Sequence, residues 1–469
     1  MKFPGTYAAY ALIISIFGQT IIGIHLGLLL INTVTIVLIF FLGRRLVNAT
    51  VGLAAAMSYA VLSVSPSVLG FAGHATHFVL LPVLGGTLLL LTTTNRQGNG
   101  RLFASGLFFG SGLLMKQPGI FFALFGAIYL VSSGLHRRFP LKTVLLQSLI
   151  FSTGVIFPFG ITCLLLWRSG VFDRFWFWTI DYARHYASLL PFSQASQLFF
   201  YSAREVIVAG WPICLLAGIG LFAGLWDSRT RSSTVFLLGF LFFSASALCA
   251  GFYFRLHYFI FVLPAISLLA GVAISRLSDL GVGRSIVARF IPIVILGTAL
   301  AWPVLAERKF FFEASPADAS RMIYPESPFG ESIRIAEYLR KHTSSSDTIA
   351  VLGSEPQIYF YSDRHSATGY IYGYGLMEAQ KYANQMQQEM IREIERARPK
   401  FLILVVMPDS WLQRPESDRL IFNWASEYTA QNYAIAGFVN MRPRRNQVGF
   451  RVPSDNAQWR HQHAPSQKV

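Results

Sequence analysis

Residues 22–43 read IGIHLGLLLINTVTIVLIFFLG, and Arg44 and Arg45 follow directly. The stretch contains no acidic or basic side chain apart from one histidine. It is long enough to cross a bilayer, since a membrane-spanning helix needs about 20 apolar residues. Similar stretches recur up to residue 304. They are 51–69, 77–94, 102–116, 118–134, 143–167, 206–226, 233–250, 256–274 and 287–304. The pattern therefore predicts a polytopic α-helical membrane protein with about ten spans.

The acidic residues divide the chain. Only five of the 23 acids precede residue 305, and hydrophobic residues make up 53% of the whole sequence. We expect a transmembrane domain over 1–304, a C-terminal soluble α/β domain over 305–455 and a disordered polar tail over 456–469. The five early acids are Asp173, Asp181, Glu205, Asp227 and Asp279. The three cysteines lie in apolar runs, which favours small buried side chains over a disulfide framework.

The basic residues indicate the topology. Twelve of the 19 Lys and Arg before residue 305 fall in alternate short loops, such as Arg44 with Arg45 and Arg137 with Arg138. The positive-inside rule makes those loops cytoplasmic. An even number of spans then puts the soluble domain on the exoplasmic side, as in a multi-pass protein of a plasma (inner) membrane with a periplasmic domain. The net charge of +16 is thus a record of topology, and it does not indicate a nucleic-acid partner.

Seven cations lie on the outer side, where topology does not require them. Lys116 and Arg255 stand at the mouths of apolar runs, and Lys2 precedes the first run. Such cations either reach toward lipid headgroups or bind an anionic ligand such as a lipid phosphate. Arg255 with His257 is either a phosphate clamp or an interfacial anchor.

His74 and His77 are three residues apart, as in a metal-binding pair, but no third ligand accompanies them. We therefore expect polar residues lining an outer cavity, with no metal site and no cofactor. Residues 167–186 interleave aromatic rings with charges that include Asp181 and Arg184. This segment is typical of an interfacial helix, and the alternative is a lid over a lipid-linked substrate.

The last third of the chain alternates helix and strand patterns. Helices are predicted at 330–342, 376–398 and 417–429, and strands at 347–353, 400–407, 432–438 and 447–452. Alternation of this kind predicts an α/β sandwich with a partly parallel sheet.

Several motifs, in order, resemble glycosyltransferase family 39 of the GT-C superfamily, which includes protein O-mannosyltransferases and lipid A aminoarabinose transferases. They are Lys2-Phe3-Pro4-Gly5, Leu42-Gly43-Arg44-Arg45, Met115-Lys116-Gln117-Pro118-Gly119, Arg255-Leu256-His257-Tyr258-Phe259 and Ser354-Glu355-Pro356-Gln357. The resemblance implies transfer of a sugar from a polyprenyl-phosphate donor to a lipid, glycan or protein acceptor on the exoplasmic face. It also implies that cations hold the departing phosphate.

The chain departs from that family at its start. The family's first span and the following loop with its catalytic Asp are missing, so the resemblance assigns no catalytic residue. We expect either an N-terminally truncated form of an active transferase or a catalytically inactive relative. The alternatives are a non-catalytic membrane protein that binds lipid-linked glycans or helps to transport them, and a membrane-anchored receptor. The substrate-binding candidates are Lys2, His74, His77, Lys116, Asp181, Arg184, Arg255 and His257.

Overall fold

The computed structural model describes residues 2–93, 98–184, 192–281, 286–325, 327–440 and 449–451. The chain divides into two compact units, Met1–Ala314 and Ser315–Val469. The division falls after residue 314, where the sequence pattern placed it after 304, because Phe310 and Phe311 pack on Phe71. The predicted tail 456–469 lies outside the described residues, as do Arg96, His185 and Arg284.

The membrane unit is helical. Its helices are α1 (Pro4–Phe17), α2 (Ile21–Leu46), α3 (Ala49–Leu62), α4 (Ala75–Thr92), α5 (Asn99–Met115), α6 (Gly119–His136), α7 (Leu141–Arg168), α8 (Phe172–Trp176), α9 (Phe192–Trp226), α10 (Arg231–Cys249), α11 (Leu263–Gly281) and α12 (Ile286–Ala306). Among the described residues, eight helices are long and apolar enough to cross a membrane. This confirms the polytopic helical fold.

Two of the ten predicted spans are shorter helices that are not among these eight, and a third starts later than predicted. The predicted span 51–69 is the 14-residue helix α3, which ends before Pro66 and a short 3-10 turn. The predicted span 102–116 is the 17-residue helix α5, whose six glycines and serines lower its hydropathy. The predicted span 256–274 begins with a 3-10 helix over Leu256–Phe261, and the α-helix starts only at Leu263.

Helices α5 and α7 pack backbone against backbone through small residues. A Cβ placed on Gly106 would lie 2.2 Å from the Phe151 carbonyl oxygen, and one on Gly110 would lie 2.2 Å from the Val155 carbonyl oxygen. A Cβ on Gly154 would lie 2.4 Å from the Phe103 carbonyl oxygen. Membrane helices associate by such close contacts because lipid supplies no hydrophobic driving force between them. This pairing holds the end of α5, and with it Lys116.

We expect Gly154→Val to destabilise the purified protein by about 1–3 kcal/mol, since the added methyl groups would force α5 and α7 apart. A thermal-unfolding measurement in detergent would show a lower Tm. The matched control is Gly160→Val on the same helix, because nothing lies within 4 Å of a Cβ at Gly160. Equal unfolding temperatures for the two variants would contradict the packing.

The second unit contains one small parallel sheet. Its elements are α13 (Pro316–Ile323), α14 (Phe329–His342), β1 (Thr348–Leu352), α15 (Gln357–Ser362), β2 (His365–Ser366), α16 (Tyr374–Met377), α17 (Ala383–Ala397), β3 (Phe401–Leu404), α18 (Pro408–Trp411), α19 (Leu420–Asn432), β4 (Phe438–Asn440) and β5 (Gly449–Arg451). The strand order is β2-β1-β3 with both pairings parallel, and β4 pairs with β5 antiparallel. The helix expected over 376–398 is two helices, because residues 378–382 turn between α16 and α17.

A buried carboxyl joins the loops that follow β1 and β3. Glu355 is 4% exposed, and its Oε2 accepts a hydrogen bond of 2.9 Å from the Ser410 hydroxyl. The Ser410 Oγ in turn accepts from the Ser354 amide at 2.9 Å. Burial raises the pKa of Glu355, and the bond from Ser410 opposes that rise only in part. The charged form of Glu355 is therefore less favourable in the folded unit than in the unfolded chain.

The sign of this shift predicts a pH effect. Because the pKa of Glu355 is higher in the folded protein than the usual 4.5, its protonated form stabilises the fold fully below pH 4.5. This stabilisation is lost as the pH rises through the folded-state pKa. Glu355→Gln should therefore slow amide exchange over 348–352 in the full-length protein at pH 7.5, with the difference shrinking below pH 4.5. Glu337→Gln, at an exposed position of α14, is the control. A difference independent of pH would contradict this explanation.

Candidate functional site

Five basic side chains from four separate segments meet at one end of the membrane unit. They are Lys2, His74, Lys116, Arg255 and His257, hereafter the basic cluster. The rings of His74 and His257 stack with centroids 3.7 Å apart and an angle of 7° between their planes. The Lys116 Nζ lies 3.7 Å from the centroid of the Tyr258 ring, which itself packs edge-on against His257. The cluster thus joins residues that are far apart in sequence.

Helix α1 brings Lys2 to Lys116. Pro4 starts the helix with its fixed φ, and a Cβ on Gly5 would lie 2.6 Å from the Leu114 carbonyl oxygen. The Thr6 hydroxyl donates a hydrogen bond of 2.6 Å to the Met115 carbonyl oxygen. These contacts dock the start of α1 on the last turn of α5, one residue before Lys116.

The loop before α4 positions His74. The Tyr10 hydroxyl of α1 donates to the Gly73 carbonyl oxygen, and the Tyr10 ring packs on Phe78 at 5.1 Å. The His74 amide donates to the Ala72 carbonyl oxygen at 2.6 Å, so the loop turns tightly into the helix. His74 therefore stands at the N-terminus of α4 beside the start of α1.

A strained turn presents Arg255 and His257. Gly251, Phe252 and Phe254 have φ angles of 78°, 59° and 42°. Positive φ is uncommon for a phenylalanine and costs free energy, and such strain occurs preferentially at functional sites. The turn ends in an extended Arg255, whose carbonyl oxygen accepts the first bond of the 3-10 helix from the Tyr258 amide at 2.7 Å.

The turn between α5 and α6 carries Lys116 and Gln117. Lys116 is extended, with φ of −158°, which directs the chain out of α5 before Gly119 starts α6. The Gln117 Nε2 donates to the Thr179 carbonyl oxygen at 3.4 Å. Through this bond the turn also contacts the aromatic segment 172–182.

Burial and neighbouring basic groups both lower the pKa values of the cluster. Burial lowers the pKa of His74 to about 3, and Lys2, His77, Lys116 and Arg255 lower it further. Burial followed by the neighbouring basic groups also lowers the pKa of His257 and that of Lys116 well below their usual values. Within the described residues, no carboxylate is among the charges that shift these pKa values. A bound anion would relieve this repulsion.

The remaining predicted site residues lie elsewhere. His77 is 2% exposed in the first turn of α4, behind His74. Asp181 lines an open depression of about 390 Å³ with Phe172, Asp173 and Trp176. Arg184 is exposed in the helical turn that follows Asp181. Five of the eight predicted residues therefore lie together in the basic cluster. His77 lies in the turn of α4 that follows His74, and Asp181 and Arg184 lie in the segment after α8.

Comparison with known proteins gives a consistent fold. A family model described as dolichyl-phosphate-mannose-protein mannosyltransferase matches residues 2–164, which include Lys2, His74 and Lys116. The search of curated protein sequences gave no match. ArnT from Cupriavidus metallidurans bound to undecaprenyl phosphate matches with a TM-score of 0.51 and 14% identity, over 94% of this chain and 86% of that one. Its apo form matches with a TM-score of 0.52 and 17% identity, over 78% and 74%.

The archaeal oligosaccharyltransferase AglB from Archaeoglobus fulgidus, in complex with an inhibitory peptide and a dolichol-phosphate, matches with a TM-score of 0.52 and 12% identity. That match covers 87% of this chain and 62% of the other. The chain shares the fold of ArnT and AglB. This fold agrees with the resemblance seen in the sequence.

The sequence pattern assigned one acid of the membrane unit, Glu307, to the soluble domain. Glu307 lies just beyond α12, and its Oε1 accepts a hydrogen bond of 2.7 Å from the Ser65 hydroxyl. Burial raises the pKa of Glu307, and the bonds from Ser65 and Ser67 oppose that rise. Its position directly after the last apolar run could have indicated that it belongs to the membrane unit. Among the described residues, no group of three His, Cys, Asp or Glu side chains could hold a metal ion.

The charges in the cluster predict a coupled titration. Lys116→Met should raise the pKa of both His74 and His257, because Lys116 is one of the charges that lower them. The check is an NMR titration of the protein with labelled histidines. Lys142→Met, in an exposed position at the start of α7, should leave both values unchanged. Unchanged histidine titrations in Lys116→Met would show that the cluster does not form.

Proposed function

We propose that this protein transfers a sugar from a polyprenyl-phosphate donor to an acceptor on the exoplasmic face of the membrane. The basic cluster is the observation that carries this proposal. It places three cations and two histidines around one position, with no carboxylate among the described charges that act on them. Such a site is suited to an anion and unsuited to a neutral or cationic ligand.

The chemistry of the reaction needs this arrangement. When the sugar leaves a phosphodiester donor, the phosphate gains a second negative charge. Fixed positive groups aimed at that charge stabilise the transition state without reorganising. Lys116 and Arg255 are the proposed contacts to the phosphate, and Lys2 is the third cation beside them.

The similar structures support a lipid-linked donor. ArnT was solved with undecaprenyl phosphate and AglB with a dolichol-phosphate, and both share the fold of this chain. The family model that matches residues 2–164 also describes transfer from a lipid phosphate. The acceptor is a protein, a glycan or a lipid, and the soluble unit is proposed to lie on the same exoplasmic side of a plasma membrane.

The aromatic segment beside the cluster is the proposed cover for the substrate. Phe3 packs on Phe159 at 5.6 Å and on Phe175 at 6.2 Å, so the segment lies against the residue next to Lys2. Asp181 lies near the end of this segment and Arg184 follows it. We propose that both side chains contact the sugar or the acceptor. A carboxylate beside aromatic rings matches the hydroxyls and apolar faces of a saccharide.

Binding of undecaprenyl phosphate to the purified full-length protein tests the proposal. Lys116→Met and Arg255→Gln should each weaken binding about tenfold or more, because a hydrogen bond to a charged group contributes about 1.5–3 kcal/mol. Lys142→Met, a lysine outside the cluster, should bind as the wild type does. A second measurement follows transfer of the sugar from a polyprenyl-phosphate donor in membranes.

The two measurements separate the candidate functions. Loss of binding together with loss of transfer in the cluster variants is the expected result. Equal binding by wild type and both cluster variants would contradict the proposed site. Cluster-dependent binding without any transfer would favour a protein that binds lipid-linked glycans without catalysis.

A further inference from the structure

The stacked histidines are the groups of the basic cluster whose unperturbed pKa, about 6.5, lies closest to neutral pH. Their rings stack with centroids 3.7 Å apart, and Lys2, Lys116 and Arg255 act on both of them. Each ring is half-buried, so a charge placed on it is felt strongly by its neighbours. The pair comes from two distant segments, the start of α4 and the 3-10 helix before α11.

The groups that face the pair explain its resting state. Lys2 approaches from the segment before α1, His77 from α4, Lys116 from the α5–α6 turn, and Arg255 from the turn before the 3-10 helix. Tyr258 packs edge-on against His257. Glu307 is held by Ser65 on the loop before α4 and is not among the charges that act on either histidine. Burial, followed by these basic groups, lowers the pKa of both histidines and so favours their neutral form.

We propose that the His74–His257 stack takes up one proton when the phosphate in the cluster becomes a monoester dianion, so that the site prefers the dianion to the phosphodiester monoanion. This inference rests on the proposed function and adds the proton acceptor to it. The dianion is the ligand form whose extra charge the stack can match. A second proton would put two like charges in stacked rings among three cations, so the uptake stops at one.

The step is balanced for sugar transfer. The acceptor oxygen bonds to the anomeric carbon of the sugar as the bond from that carbon to the phosphate oxygen breaks, and its electron pair stays on the phosphate. The phosphate charge changes from −1 to −2. The proton lost by the acceptor hydroxyl is matched by the proton gained by the stack. A charge that appears only as the bond breaks is the charge whose stabilisation accelerates the reaction.

Calorimetry on the full-length protein tests this inference. Undecaprenyl phosphate and its methyl ester are titrated at pH 7.5 in two buffers that differ in ionisation enthalpy. The phosphate monoester is mostly dianionic at this pH, since its second pKa is about 6. We expect uptake of about one proton with the monoester and none with the methyl ester. Affinity for the monoester should rise by up to about tenfold for each unit that the pH falls from 8.5 to 7.

Two variants and one control assign the proton to the stack. His257→Phe keeps a flat ring on His74 but leaves one histidine of the stack, and the double variant His74→Gln/His257→Phe leaves none. The double variant should lose the proton uptake and the preference for the monoester. His25→Gln, at an exposed position of α2, removes a histidine outside the cluster and should leave both unchanged.

The outcomes distinguish this inference from the proposed function. If the wild type binds neither lipid, the phosphate site itself is wrong. If the wild type binds both lipids equally without proton uptake, the inference is overturned while the phosphate site stands. Proton uptake that persists in the double variant would also overturn it. If the double variant does not fold, His257→Phe decides: removal of one ring of the stack should shift the pH dependence of monoester binding, and an unshifted pH dependence would overturn the inference.

Discussion

Repulsion between like charges is the constraint on which the account of this protein depends. Two unit charges 4 Å apart repel by about 4 kcal/mol at an effective dielectric of 20. The basic groups of the cluster lower one another's pKa values, and no carboxylate of the described residues is among the charges that act on His74, Lys116 or His257. A protein that keeps such an arrangement folded must hold it from outside the cluster, and it gains free energy when an anion enters.

The scaffold supplies that restraint through backbone contacts. The bond from Thr6 to Met115 and the bond from Tyr10 to Gly73 fix the start of α1 against α5 and against the loop before α4. Glycine contacts hold α5 against α7, and a turn with positive φ at Phe252 and Phe254 presents Arg255. None of these interactions involves a charge of the cluster, so they persist whether a ligand is bound or absent.

The sequence predicted the fold class because the fold class follows from composition. Apolar length and the positions of Arg44 and Arg45 predict membrane helices without reference to tertiary structure. Lys116 and Arg255 were identified because topology did not require them on the outer side. Five of the eight substrate-binding candidates lie together in the structure.

The sequence failed where tertiary contacts decide. Periodicity cannot show that His74 stacks on His257, because 183 residues separate them and neither pattern refers to the other. Nor can the sequence pattern show that Asp181 lines an open depression with Phe172 and Trp176. Glu307 was assigned to the soluble domain since it follows the composition change, whereas Ser65 holds it in the membrane unit.

A structure of the full-length protein with undecaprenyl phosphate is the most direct test that the basic cluster is a phosphate site. We expect phosphate density within hydrogen-bonding distance of the Lys116 Nζ and the Arg255 guanidinium, beside the stacked histidines. Phosphate density in the depression lined by Asp173 and Asp181, with the cluster empty, would contradict it.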